Sequence, residues 1–559
     1  MTALAFVALV GIVVAYFGFI HLYAVNSIYY DQWWDIQLLG HLYSGTLTLS
    51  DLWAQHGENR ILFPNLVVLL LARLVDYNTI VEQYLSGVFL AASAALIIWT
   101  HKRRSPTISW LWYVPVGAAL LSFVQYENTL WGFQLAWYMV YISLALALFF
   151  LDRPNLTWFM LGFAIASAVV GSYSSAQGLL IWPVGLLLLY QRNRPRSLNL
   201  TWLGSAIVTG VVYFYNLSLP NNSSYLFTHP IAAAKFYFLT VGGVLGIQVP
   251  QNPDATTYTV IALGFVIFVL ACWMLFTFGR RRDEITGAPV GVALTAFGLV
   301  FAALATSERV SQGLINQTYS HYTTFVLLIP VGCGLTLLSA WTNATLQKDS
   351  ATAPSAQYHI GLRVMTPILA MVILLQLLLG TGDGLTYADG WSNYMGVDAR
   401  ATVNGFKSTE PYAIKILLSG CSCGLNLPQL IQIAREHHLS TFDTGAVAMY
   451  LKEGLPRDTV PPKTWVAGPL SGQTLHRGVF LTAGATSDEY SVTRVDFLLS
   501  GGGFHDATIA RAVLTYFGWL AGWNTATVPN GSYLLQSVAY DAMGKSGRSQ
   551  SVSIQVANH

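Results

Sequence analysis

Two aspartates four residues apart, Asp31 and Asp35, stand in the run Tyr29-Tyr30-Asp31-Gln32-Trp33-Trp34-Asp35. Aromatic surroundings raise a carboxyl pKa and a nearby arginine lowers it, and a general base is tuned in this way. The same stretch continues through Asp51 to His56-Gly57-Glu58-Asn59-Arg60 and Phe63-Pro64. Three more polar clusters interrupt apolar sequence. They are Gln125-Tyr126-Glu127-Asn128 through Trp131 to Gln134, Ser172-Tyr173-Ser174-Ser175-Ala176-Gln177, and Glu308-Arg309 followed by Tyr319-Ser320-His321-Tyr322. The first alone reads equally well as a site or as an interfacial aromatic belt with N-cap aspartates, and each of the other three alone reads more readily as capping or packing. Four of them on one face make a shared site the better reading.

The elements that must carry these clusters follow from composition. The 559 residues are 54% hydrophobic and 10% charged, against about 25% charge in an ordinary soluble domain. An aromatic content of 13% argues against disorder. A net charge of +2 leaves no nucleic-acid footprint. Four cysteines exclude a disulfide scaffold. What remains is an α-helical polytopic membrane protein. Apolar runs predict about eleven spans, over 3–22, 82–100, 109–123, 137–151, 158–170, 178–190, 200–217, 258–278, 290–305, 322–341 and 364–379. The first has no small-residue cleavage site after it and reads as an uncleaved span. The runs 61–75 and 236–249 are short and read as re-entrant or interfacial helices.

Charge sets the expected orientation. With those two segments not crossing, Lys102, Arg103, Arg104, Arg153, Arg192, Arg194, Arg196, Arg280, Arg281, Arg282, Lys348 and Arg363 all fall on one side. Positive residues favour the cytoplasm. The N-terminus is then cytoplasmic, and the four polar clusters and everything after Leu379 are extracytoplasmic, with the bacterial inner membrane as the expected location.

An early aspartate in a long first loop, a His-x-Glu-x-Arg segment leading through Phe-Pro into a short helix, the run from Gln125 to Gln134, and Tyr319-Ser320-His321-Tyr322-Thr323 together resemble the GT-C glycosyltransferase superfamily. These are polytopic enzymes that use polyprenyl-phosphate-linked sugars. The likeness covers residues 1–380, with two departures: Gln32-Trp33-Trp34 separate Asp31 from Asp35, and His321 stands where the family commonly has arginine. The resemblance implies inverting transfer of a sugar from a polyprenyl-phosphate donor to a glycan or lipid-linked acceptor. It implies Asp31 as base, with Asp35 or Glu58 replacing it or orienting the acceptor. Arg60 and Arg309, helped by His56 and His321, would bind the donor phosphate. Glu127, Asn128, Trp131, Gln134, Tyr173 and Tyr319 would bind sugar or acceptor. No cofactor is required, and a divalent metal beside Asp31 and Asp35 stays open.

After Leu379 the composition changes. Residues 381–460 read as a linker, Gly/Asp-rich over 380–393, with helical segments such as 427–438. Residues 461–559 alternate with period two; Val495, Phe497 and Leu499 share a face, as do Val552, Ile554 and Val556. This predicts a β-sandwich. Trp523-Asn524-Thr525 through Pro529-Asn530-Gly531 to Tyr540-Asp541 resembles bacterial Ig-like domains, and Trp519 and Trp523 read as core residues before glycan contacts. Two other functions stay open: a transporter or flippase for a lipid-linked glycan, and a non-catalytic scaffold displaying the Ig-like domain. Against the first stand nearly charge-free spans without an internal repeat.

Overall fold

The computed structural model describes residues 2–218, 224–247, 255–279, 287–312, 320–346, 356–403, 425–443, 445, 460–486, 492–515, 518–541 and 545–558. Tyr319, Arg280, Arg281, Arg282 and Lys348 lie outside the described residues. The chain divides into two units, one holding residues 1–25 and most of 38–392, the other holding 26–37 together with 393–559.

The larger unit is helical. Among the described residues, eight helices are long and apolar enough to cross a membrane: Thr2–Tyr23, Thr79–Arg104, Gly132–Leu151, Arg196–Phe214, Thr256–Phe278, Ala288–Arg309, Ser320–Thr345 and Ile360–Ser392. Their ends follow capping rules. Asn78 accepts from the Ile80 amide at the start of the second, whose last turn carries Lys102, Arg103 and Arg104 against the negative end of the macrodipole. Ala288–Arg309 and Ser320–Thr345 form the interior, 78% and 94% buried over their apolar windows, whereas Thr2–Tyr23 and Arg196–Phe214 are only 22% buried and expose leucine, valine and phenylalanine. Apolar exteriors of this kind are compatible with a bilayer and foreign to a soluble monomer.

The difference from eleven expected spans has a local cause. Residues 109–123 hold only a 3₁₀ turn, Trp110–Tyr113, and a seven-residue helix, Val114–Leu120, before a 3₁₀ turn at Phe123–Gln125. Trp158–Ser172 and Ala176–Gln191 are apolar helices below span length, as are Leu62–Val75 and Pro230–Leu245. Fourteen residues rise about 21 Å, short of a hydrocarbon core of about 30 Å.

The Gly/Asp-rich stretch read as a linker is instead helical, within one helix from Ala356 to Val403. A Cβ on Gly384 would stand 2.5 Å from the Phe123 carbonyl carbon and oxygen. The glycine is therefore a close-approach residue of a packed helix, and the division between units falls at 392/393 rather than at 380.

The smaller unit is β-rich at its C-terminal end. A hairpin of two short strands in the larger unit, β1 (Gln55–His56) and β2 (Asn59–Arg60), precedes it in the chain. The domain itself comprises β3 (Lys463–Gly468), β4 (Gln473–Leu475), β5 (Gly478–Thr486), β6 (Val492–Gly501), β7 (Phe504–Thr515), β8 (Gly518–Asn524), β9 (Gly531–Asp541), β10 (Ser546–Arg548) and β11 (Val552–Val556). Their order is β3-β5-β8-β7-β6-β9-β11-β4, with β10 on β9, antiparallel except for β11 with β4. The long β7 turns the corner, pairing with β6 up to Ala512 and with β8 from Val513. The alternation places Val495, Phe497, Leu499, Leu535, Ile554 and Val556 in one core, together with Trp519 and Trp523 at 2% and 5% exposure. Both tryptophans are core residues and neither can stack on a glycan.

Candidate functional site

In the larger unit, four loops distant in sequence meet. The first is the hairpin. Gly57 at φ +55 occupies the first central position of its two-residue turn, with His56 paired to Asn59, and so presents Glu58 at the tip. Asn59 Oδ1 accepts from the Ser175 hydroxyl at 2.9 Å and the Ala176 amide at 2.8 Å, joining the hairpin to the 172–177 loop. The His56 ring lies 5.1 Å from that of Phe133, which brings in the 125–134 loop. Glu58 Oε1 accepts from Arg309 Nη2 at 3.2 Å, which brings in the fourth.

Two charge pairs result. Around the Glu58–Arg309 pair, the Glu308 carboxyl and the Tyr322 phenol are close enough to interact electrostatically with it. In the second pair, His321 Nδ1 stands 3.1 Å from Glu127 Oε1 while the His321 amide donates to Glu127 Oε2 at 3.3 Å. A carboxylate on Nδ1 fixes the tautomer and makes Nε2 the basic ring atom. The His321 and Tyr322 rings touch, with centroids 4.2 Å apart. The pairs thus form one polar chain: Glu58, Arg309, Tyr322, His321, Glu127. Ser320 clamps the arrangement, donating to the Val124 carbonyl at 2.7 Å and accepting from the Glu127 amide. Asn128 does the same from the other side, its amide donating to the His321 carbonyl at 2.9 Å and to the Thr324 hydroxyl at 2.7 Å. Gln134 Oε1, Asn128 Oδ1 and Gln177 Nε2 are buried and find no hydrogen-bond partner, and such atoms are costly unless a ligand satisfies them.

Several expected residues have other employment. Arg60 is 5% exposed, and its guanidinium donates to the carbonyls of Trp53 and Tyr215 at 2.8 Å and Tyr213 at 3.5 Å while lying 5.3 Å over the Trp53 ring. Buried and committed to neutral carbonyls, it ties the hairpin to the end of the Arg196–Phe214 helix. Tyr173 donates its hydroxyl to the Thr209 carbonyl at 3.1 Å, burial pushes its phenol up, and its ring packs on Trp53 and Tyr213; it braces the 172–177 loop against the Arg196–Phe214 helix. Trp131 is 7% exposed, 6.0 Å from Phe133. Asp51 completes a capping box with Thr48, whose hydrogen bonds hold its carboxyl below the usual range. Glu308, Tyr322 and Gln177 carried no assigned role in the sequence, although each stood within one of the polar clusters.

Asp31 and Asp35 belong to the other unit. The 29–34 turn, with Tyr30 at φ +53 and the Trp34 amide donating to the Asp31 carbonyl, starts helix Gln32–Tyr43. Asp31 lies in that turn, half-buried, and Asp35 in the first turn of the helix at 3% exposure. Within that unit, Ser27 donates to Asp398 at 2.7 Å and Ser440 to Asn26 at 2.8 Å, anchoring the segment that carries the aspartates. Among the described residues, no three His, Cys, Asp or Glu side chains gather to hold a metal ion.

No protein-family model and no curated protein sequence matches the chain. Among solved structures, it is similar over 17% of its length to the fibronectin(III)-like modules of Clostridium thermocellum CbhA, covering 94% of that chain at 20% identity and a TM-score of 0.14. It is also similar over 23% of its length to an endo-beta-1,4-mannanase from Thermotoga petrophila, covering 24% of that chain at 16% identity and a TM-score of 0.15.

Proposed function

We propose that this protein is a multi-pass membrane glycosyltransferase, with its N-terminus in the cytoplasm and its polar loops and β domain outside. It transfers a sugar from a polyprenyl phosphate to an extracytoplasmic glycan or lipid-linked acceptor. The observation that carries the reading is the meeting of four loops around Glu58–Arg309 and Glu127–His321. Acid, base and guanidinium in one cluster at the ends of apolar helices suit a reaction between an anionic lipid and a hydroxyl.

The acceptor oxygen attacks the anomeric carbon as the bond to the phosphate oxygen breaks. The hydroxyl proton passes to a carboxylate, and the electron pair leaves with the polyprenyl phosphate, inverting the centre. Arg309 binds that phosphate, where a planar guanidinium gives two parallel hydrogen bonds. His321, oriented by Glu127, supplies a second contact by donating from Nε2 when the ring is protonated. Gln134 and Gln177 offer unspent hydrogen-bonding atoms to sugar hydroxyls. Asp31 is the base by resemblance, with Asp35 orienting the acceptor; Glu58 is the alternative base by geometry. The reaction as written requires no cofactor, and a divalent metal stays open.

The test is sugar transfer from polyprenyl-phosphate donors by Asp31→Asn and Glu58→Gln variants that express normally. Loss of about 10²–10⁴-fold in Asp31→Asn is expected. Loss confined to Glu58→Gln moves the base to Glu58. Full turnover in both removes the two carboxylates from the base role, and absence of transfer by the wild-type protein overturns the transferase reading in favour of a transporter or scaffold.

A further inference from the structure

The helix Leu135–Leu151 begins beside Gln134 and ends at Asp152. Its seventeen residues rise about 25 Å, so Asp152 marks the end of the larger unit away from the candidate site. Ala176–Gln191 repeats the pattern, starting beside Gln177 and ending at Arg192.

Among the described residues of this far end, guanidiniums outnumber carboxylates. Asp152, fully buried, accepts from Arg192 Nε through Oδ1 and stands 3.4 Å from Arg104 Nε through Oδ2. Its backbone carbonyl accepts from Arg104 Nε at 3.0 Å and Arg103 Nη2 at 3.2 Å. Arg103 and Arg153 share the Phe149 ring, with guanidinium carbons 5.1 and 4.2 Å from its centroid. Thus, among the described residues, two guanidiniums hold a single carboxylate and two more lie together beside it on Phe149. Two of them have unspent donors: Nε and Nη1 of Arg103 and Nε of Arg153 are shielded from solvent without a hydrogen-bond partner.

Like charges crowded in a low-dielectric setting, with buried N–H groups unmatched, are costly unless an anion completes the cluster. The anion must present several acceptor oxygens to planar donors at the level where apolar helices end, and a phosphate does so. In a bilayer the phosphate at that depth belongs to a lipid. We propose that Arg103 and Arg153, held side by side on Phe149, bind the headgroup phosphate of an anionic phospholipid in the leaflet opposite the candidate site. This site is independent of the transferase reading and needs no sugar chemistry.

The test uses the full-length protein in neutral detergent, titrated with phosphatidylglycerol, phosphatidylcholine or inorganic phosphate, and reads bound lipid by native mass spectrometry and protection against heat. Phosphatidylglycerol is expected to bind about tenfold more tightly than phosphatidylcholine. Arg153→Gln, which removes no buried ion pair, is expected to erase that preference, and Arg103→Gln likewise. Arg196→Gln, an exposed arginine nearby, makes the same charge change and is expected to preserve it. Equal binding of the two lipids, or equal effects of Arg153→Gln and Arg196→Gln, overturns the proposal. Protection by inorganic phosphate equal to that by phosphatidylglycerol assigns the cluster to a soluble anion and overturns the lipid as its source.

Discussion

The two ends of helix Leu135–Leu151 treat charge in opposite ways. At the Gln134 end, carboxylates and cations come in pairs that leave groups within reach of a ligand: the Glu58 and Arg309 side chains are 21% and 35% exposed. At the Asp152 end, one carboxylate at 0% side-chain exposure is locked to Arg192 at 4%, and surplus guanidiniums surround them. The first arrangement spends little stability on its charges and keeps them available for chemistry. The second depends on its carboxylate for the bundle to hold together. Ion pairing therefore leaves groups accessible at one end and locks the fold at the other.

Removing the locked carboxylate should have the largest effect. Asp152→Asn leaves Arg192 buried without its counter-charge, and breaking such a pair costs about 3–5 kcal/mol. Denaturant or thermal unfolding of the detergent-solubilised protein should show this loss, while the folded fraction keeps its transfer rate. Unchanged stability would erase the contrast between the ends.

Arg309→Gln should do the reverse. An ion pair this exposed contributes at most about 1 kcal/mol to folding, so unfolding should scarcely shift. Sugar transfer should fall by about 10²–10³-fold, the usual cost of losing one donor to a developing oxyanion. Adding Glu58→Gln should cost less than its effect alone, because the two side chains act as a unit. Additive losses would separate them.

The sequence disclosed which loops to inspect but not how they pair. Glu58 meets Arg309 across 251 positions and Glu127 meets His321 across 194, and one sequence holds no distance information at that range. Residue type also hides employment. Arg60 reads as a free guanidinium until the carbonyls of Tyr213 and Tyr215 are placed beside it. The β domain was legible because alternation needs only neighbours in sequence: Val495, Phe497 and Leu499 are all fully buried. The linker was misread because glycine signals both flexible turns and close helix packing. Gly384→Ala tests the second meaning: forcing a methyl against the Phe123 backbone should destabilise the bundle by about 1–3 kcal/mol. The neighbouring Gly382, whose added Cβ would meet nothing within 4 Å, should accept alanine without loss.

Asp398 sharpens the comparison from the smaller unit, because its burial is met by a hydroxyl where Asp152 has a guanidinium. Burial raises its pKa to about 7, and the Ser27 hydrogen bond offsets this only in part. An acid whose folded pKa lies above its unfolded value of about 3.9 binds more protons in the folded state across that interval. Its contribution to stability is complete below about pH 4, declines as pH rises, and is gone above about pH 7. The slope is at most about 1.4 kcal/mol per pH unit. Asp398→Asn keeps an acceptor for Ser27 but removes the titration. Between about pH 5 and 6 the wild-type unfolding midpoint should fall relative to that of the variant. Parallel curves would mean that Asp398 is ionised in the fold, held by a cation as Asp152 is.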